Sequence, residues 1–203
     1  MDASRVADLA NEIRKLEQPG VEQLRMLRGL RIRFINPVLP QHEIEKRAGS
    51  RPPMHTEIQR FKEITKLKKG KYSAREDYII TTNWKKFCKL HDWDHHDVAP
   101  FLLLRLGHRA YIRSRMQRRK FVQFLADGLS HRTLYSVYHR FRNLYNGHKL
   151  KRYTKEEDRL ILEYLENNPN LDQRRKYADL AKVLKRTRGS IWRRYKLLKK
   201  KRE

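Results

Sequence analysis

The sequence predicts an all-α chain: two three-helix units of helix-turn-helix type, the first enlarged by a helical insertion, preceded by an N-terminal helical pair. Three observations carry this. Apolar residues recur at helical spacing along most of the chain. Thr154 with Glu157 three residues on makes a capping box at a helix start, and Ser73 with Glu76 stands in register with it. The two halves also repeat. Tyr72, Ser73, Glu76, Asp77 and Ile80 return at an offset of 81 as Tyr153, Thr154, Glu157, Asp158 and Ile161, whereas RTLYSVYHRF from Arg132 returns at an offset of 54 as RTRGSIWRRY from Arg186. The shorter second offset locates the insertion at Asp92 to Gln117, with a helix of its own starting near Pro100, a residue tolerated in a first turn.

Taken in order, residues 3–17 form an amphipathic helix through Val6, Leu9, Ala10, Ile13 and Leu16, ended by Pro19-Gly20. A second run through Leu24, Leu27, Leu30 and Phe34 stops at Asn36-Pro37. Residues 1–36 are the expected pair, more balanced in charge than the rest and suited to touching protein, or to packing on the chain's own core. They are expected to be dispensable for any nucleic-acid affinity. Residues 37–69 read as a linker with Pro37, Pro40, Pro52 and Pro53, one helical turn at His42 to Lys46, and a connecting helix through Ile58, Phe61 and Ile64. The expanded unit spans 70–146 and the compact one 151–203.

In the compact unit, Ile161, Leu162 and Leu165 give the first helix its apolar face, and Tyr177, Leu180, Ala181 and Leu184 mark a short second helix. The last helix, Arg186 to Lys200, divides sharply. Leu184, Ile191, Tyr195 and Leu198 share one stripe, and Gly189, Arg193, Lys196 and Lys200 lie opposite.

Charge sets the class of partner. The chain carries 49 Lys and Arg against 23 Asp and Glu, a net +26, and a field this one-sided favours a polyanion. From Arg174 to Arg202 fourteen bases meet one acid, Asp179, and from Arg105 to Arg152 thirteen meet Asp127 alone. Beside helix-turn-helix patterning this is the footprint of double-stranded DNA binding. No continuous apolar span exists to favour a membrane.

Catalysis finds no motif: there is no G-x-G-x-x-G, no P-loop and no G-x-S-x-G elbow, and only 8 glycines are present. Cys88, His91, His95 and His96 offer ligand types, but the chain has 1 cysteine and no closed tetrahedral set around it, so no metal, cofactor or small-molecule substrate is expected. A lone cysteine also excludes an intramolecular disulfide and fits a reducing compartment. The N-terminus lacks the apolar region of a secretory signal.

The capped first helix with its Glu-Asp pair, the second helix with its apolar-x-x-apolar-Ala-x-x-apolar pattern, and the third helix reading Arg-Thr-x-x-Ser-apolar-x-x-Arg-aromatic together resemble Myb/SANT repeats. One copy runs from Gly70 to Asn146 and the other from Lys151 to Lys201. RFKEITKL ahead of KKGKYSAREDYIITTNWKKF, followed by an expanded and then a compact repeat, is more narrowly similar to the Myb-like region of the Reb-type proteins, which include the RNA polymerase I transcription termination factor. This resemblance implies that each third helix enters the major groove. Base-reading positions are then Gly189, Trp192, Arg193 and Lys196 in the second copy and Tyr135, Tyr138, His139 and Arg142 in the first. Arg193 is best placed for a bidentate contact to guanine. Lys185, Arg188, Lys200, Arg132, Lys149 and Lys151 fall to phosphates. The acid pairs Glu76-Asp77 and Glu157-Asp158 sit in first turns, where capping and the helix dipole account for them, and the resemblance implies that such acids also hold Arg140 and Arg194. Two departures stand out: Leu165, Tyr177 and Tyr195 replace the core tryptophans of the second copy, where the first has Trp84, and aromatic Tyr138 and Trp192 stand where a base-reading lysine is usual.

The function expected is therefore sequence-specific double-stranded DNA binding in nuclear transcription, for termination or regulation. The alternative is a SANT-like interaction scaffold in a nuclear transcription or chromatin complex, which needs an acidic protein surface as its partner; a protein partner on the N-terminal helices is a separate expectation.

Overall fold

A computed structural model describes residues 2–47, 49–102, 110–149 and 151–201, the side chains of 173 and 174 excepted. Among these residues there are eleven α-helices and no strand. They fall into two units, one made of residues 19–146 and the other of residues 1–18 with 147–203.

Whereas α1 (Val6–Leu16) belongs to the other unit, the unit of residues 19–146 holds α2 (Val21–Gly29), α3 (Pro40–Ile44), α4 (His55–Ile64), α5 (Ala74–Leu90), α6 (Ala99–Leu102), α7 (Arg115–Leu125) and α8 (Leu134–Tyr145). Its core is aromatic. Trp84, fully buried, meets Phe87, Phe101, Phe121, Phe141 and Tyr145 with ring centroids 5.1–6.2 Å apart, mostly at the edge-on or tilted angles that aromatic quadrupoles favour. Phe101 comes from the insertion, whose expected helix near Pro100 is present as α6; residues 103–109, with Arg105 and Arg109, lie outside the described residues.

The segment read as a linker is a packed strap. Gln41 Nε2 donates to the Ser130 carbonyl at 3.1 Å, Gln123 Nε2 to the His42 carbonyl at 3.0 Å, and a His42 ring nitrogen meets the Arg132 carbonyl at 2.9 Å. Gly49, in the left-handed region at φ 68°, passes so close that a Cβ would lie 3.0 Å from Tyr138 Cβ and 3.2 Å from Val122 Cγ1. Leu39, ahead of Pro40, is extended, as a following proline favours, and outside α3 and α4 long polar side chains satisfy backbone groups that no helix or sheet satisfies for them.

The second unit combines a 3-10 turn (Ala3–Arg5) and α1 with α9 (Lys155–Asn167), α10 (Gln173–Val183) and α11 (Arg188–Lys200). Helix α10 begins ahead of the expected Tyr177 because Asp172 accepts the Arg175 backbone N–H at 3.1 Å. Val6 and Ala10 of α1 are fully buried, and Arg14 reaches Asp179, an acid only 1% exposed that also accepts from Tyr164 Oη at 3.1 Å. Glu17 pairs with Lys182 of α10. The two opening helices, expected as a pair, thus divide between the units: α1 lies with α9 to α11 and α2 lies in residues 19–146. The reason is specific, since α1 supplies the cation for a buried acid of α10.

Candidate nucleic-acid interface

The same set of contacts is built twice, and it fixes how each third helix is turned. In the compact copy Thr154 caps α9 and Glu157 reaches back to the Thr154 backbone N–H at 3.1 Å. Ahead of α11, Arg186 is 4% exposed: it donates to Glu157 at 2.8 Å and to the carbonyls of Lys149, Lys151 and Arg152, with its guanidinium 4.2 Å from the Tyr153 ring centre. In the expanded copy Arg132 does the same with Glu76 at 2.7 Å, the carbonyls of Lys68, Gly70 and Lys71, and the Tyr72 ring at 4.1 Å. Tyr153 and Tyr72 hold Ser190 and Ser136, each at 2.8 Å. Arg194 forks onto Asp158 and Arg140 onto Asp77, as the resemblance implied.

These anchors perturb the acids as their geometry requires. The Arg132 hydrogen bond holds the Glu76 carboxyl well below the usual carboxylate range. Burial pushes Glu157 upward, but hydrogen bonds from Arg186 and the Thr154 backbone outweigh it and leave the carboxyl lowered.

With α11 pinned on one side, the other is open. Ile191 is fully buried and Tyr195 and Leu198 half-buried, while Arg188, Gly189, Trp192, Arg193, Lys196, Lys199 and Lys200 are all exposed. Among the described residues no acid pairs with Arg188, Arg193, Lys196, Lys199 or Lys200. Thr187 caps the helix by accepting from the Ser190 N–H at 3.1 Å. Lys185, also exposed, holds the preceding turn at φ 51°, a left-handed conformation that glycine adopts at less cost. The expected base-reading quartet Gly189, Trp192, Arg193 and Lys196 therefore shares one solvent-facing surface, with Lys185, Arg188 and Lys200 along its length. Lys151 is exposed, and Lys149 is drawn to Glu157 at 3.5 Å.

The expanded copy is different, and two expectations are corrected there. Arg132 is 1% exposed with its guanidinium filled by protein partners, so it is a structural anchor and reaches no phosphate. Tyr138 is 2% exposed, its hydroxyl donating to the carbonyls of Phe101 at 3.2 Å and Leu102 at 2.8 Å, so it reads no base. The α8 start is occupied as well. Glu45 of the strap, 3% exposed, accepts the Leu134 backbone N–H at 2.5 Å and that of Tyr135 at 3.2 Å, filling the anion-favouring end of the helix. His139 and Arg142 are half-buried; His139 packs on Tyr135 with ring centres 4.2 Å apart, and burial, then nearby Arg142, lowers its pKa. Sequence reasoning missed the Arg132 and Arg186 anchors although a signal existed: Arg-Thr precedes the third helix in both copies, in step with the capping-box Glu of the first.

Cys88 is 2% exposed and burial pushes its thiol up to about 12, which makes it a core residue. Asp94, His95 and His96 bring ligand atoms within 4.8 Å of one another, but all three are exposed. Among the described residues no helix is long and apolar enough to cross a membrane. Compared with known proteins, the chain matches no family model, no curated protein and no solved structure.

Proposed function

We propose that this chain is a sequence-specific double-stranded DNA-binding protein of nuclear transcription, acting in termination or regulation, whose compact Myb-like repeat reads the major groove through α11. One observation carries the reading: a helix rigidly anchored on its inner face presents Arg188, Arg193, Lys196, Lys199 and Lys200 outward without acidic partners. Thirteen residues make a rod about 20 Å long, and the major groove admits an α-helix. Arg193 lies at the middle of the face, where a guanidinium meets guanine O6 and N7, and Lys185, Arg188 and Lys200 lie where phosphates pass. The repeated architecture and the similarity to Reb-type Myb repeats support the transcriptional role.

Selection of bound duplexes from a random pool, followed by titration of the selected and a scrambled duplex, tests this. The expected result is a defined site bound with a log–log salt slope of about −0.9 per phosphate neutralised. Equal affinity for both duplexes overturns it. The second reading, a SANT-like scaffold, draws on Trp192, which is 48% exposed and of a type enriched in protein interfaces. It requires an acidic protein surface and yields no selected site.

A further inference from the structure

Two residues on the outward face of α11 have no reason in the fold. Trp192 leaves its indole 48% exposed, although a large apolar side chain is favoured in a core. Gly189 lies in the helix, where alanine is the better residue, and a Cβ built on it meets nothing within 4 Å. No neighbour in the unit asks for bare backbone there. The two residues are three apart and so stand one turn apart on a single face.

The other copy shows what the fold does with the same register positions when it needs them. Tyr138, in register with Trp192, is enclosed by α6 and by Gly49 of the strap, and Tyr135, in register with Gly189, carries a backbone N–H bound to Glu45. Among the described residues of its unit nothing covers Trp192 in this way. Arg188 and Lys196 stand four residues to either side of it and Arg193 beside it, all exposed, so what lies against the indole meets a cationic rim.

We propose, resting on the duplex reading above, that Gly189 and Trp192 form a notch and plate that take the C5-methyl edge of a pyrimidine in the major groove, making a thymine an obligatory element of the target site. Among unmodified bases only thymine presents a methyl group in that groove. Bare backbone at Gly189 lets the helix approach the base edge, as glycine does wherever a backbone must come close to a ligand. The indole then covers the methyl while Arg188, one turn before it, holds a neighbouring phosphate.

The test uses the full chain and its selected duplex, with each thymidine replaced in turn by deoxyuridine, a change that deletes only the methyl. One position is expected to weaken binding roughly fourfold, the worth of one buried methyl. Trp192→Ala is expected to bind the thymine and uracil forms of that position alike. Gly189→Ala is expected to weaken the thymine form more than the uracil form. Trp192 is exposed, so its variant keeps the fold, and the duplex series needs no variant. Equal binding of every uracil duplex by the unaltered protein overturns the proposal, as does a thymine preference that survives Trp192→Ala. If the unaltered protein does not prefer its selected duplex over a scrambled one, the duplex reading itself falls, and that outcome is distinct from the other two.

Discussion

Arg194 grips Asp158 with both arms of its guanidinium, Nε to Oδ1 at 2.7 Å and Nη2 to Oδ2 at 2.6 Å. The fork ties the middle of α11 to the first turn of α9, so it sets the rotation of α11 about its own axis. That rotation decides that Ile191 faces the core and Arg193 the solvent. Asp158→Ala is expected to destabilise this unit by about 2 kcal/mol, and a double-mutant cycle with Arg194→Ala to give a coupling of about 1 kcal/mol. Denaturant unfolding followed through Trp192 fluorescence measures both; strict additivity would show that the fork does not hold the helix.

Two cations on the same face separate reading from attraction. Arg193→Ala is expected to lose about 1–3 kcal/mol on the selected duplex and much less on a scrambled one. Lys200→Ala is expected to weaken both alike and to reduce the salt slope by about 0.9. Parallel titrations on the two duplexes distinguish these outcomes, and equal losses for Arg193→Ala would remove its assigned role.

Lys185 offers a change with opposite signs on stability and binding. A lysine at φ 51° is held in a conformation that glycine reaches about 1 kcal/mol more cheaply. Lys185→Gly is therefore expected to raise the melting temperature of the unit while lowering duplex affinity. A fall in both would place Lys185 among the groups that hold the turn.

Glu45 makes the strap sensitive to pH. Burial raises its carboxyl from 4.5 to about 7, with Glu57 adding to the rise and the Leu134 and Tyr135 N–H groups and Arg119 opposing it. His42, buried three residues before it in the chain, is pushed down by burial. Because the folded value lies above the unfolded one, this stabilisation is complete below about pH 4.5 and is lost as pH rises through 7, an effect on the order of 3 kcal/mol. In a Trp192→Phe background the remaining tryptophans, Trp84 and Trp93, report on residues 19–146 alone. Glu45→Gln is expected to flatten the decline in stability between pH 5 and 8; an unchanged profile would assign the decline to another group.

Asp179 ties α1 to its unit through Arg14, which argues against the expectation that residues 1–36 can be removed without effect on binding. Arg14→Ala leaves an acid 1% exposed without its cation, a loss of about 3 kcal/mol, and Asp179→Asn in the same chain is expected to restore part of it. Removal of residues 1–18 is expected to lower duplex affinity by unfolding the unit that carries α11. Thermal unfolding by circular dichroism, read beside the binding titration, checks this; full affinity and an unchanged melting temperature would contradict it.

The helices and both capping boxes were readable from spacing, because each depends on residues within a turn or on a pattern the chain writes twice; that Arg140 and Arg194 meet an acid came from the resemblance, and which acid of each pair they meet came from the structure. Arg132 was misread for an equally physical reason. A guanidinium suits a phosphate and a set of backbone carbonyls equally well, and only the positions of the Lys68, Gly70 and Lys71 carbonyls tell the two apart. The strap was misread because a proline-rich stretch looks the same along the chain whether it is solvated or packed.

Local order therefore came from the amino acids in series: an all-helical chain, its duplicated triads, and a C-terminal helix with one apolar and one cationic side. Which third helix stays open was settled in three dimensions. Tyr138 and Trp192 occupy the same register in near-identical patterns, yet one is 2% and the other 48% exposed. What separates them is cover contributed by residues far away in the chain, Gly49, Phe101 and Leu102. Burial depends on which distant segments come together, and no periodicity within a helix encodes that.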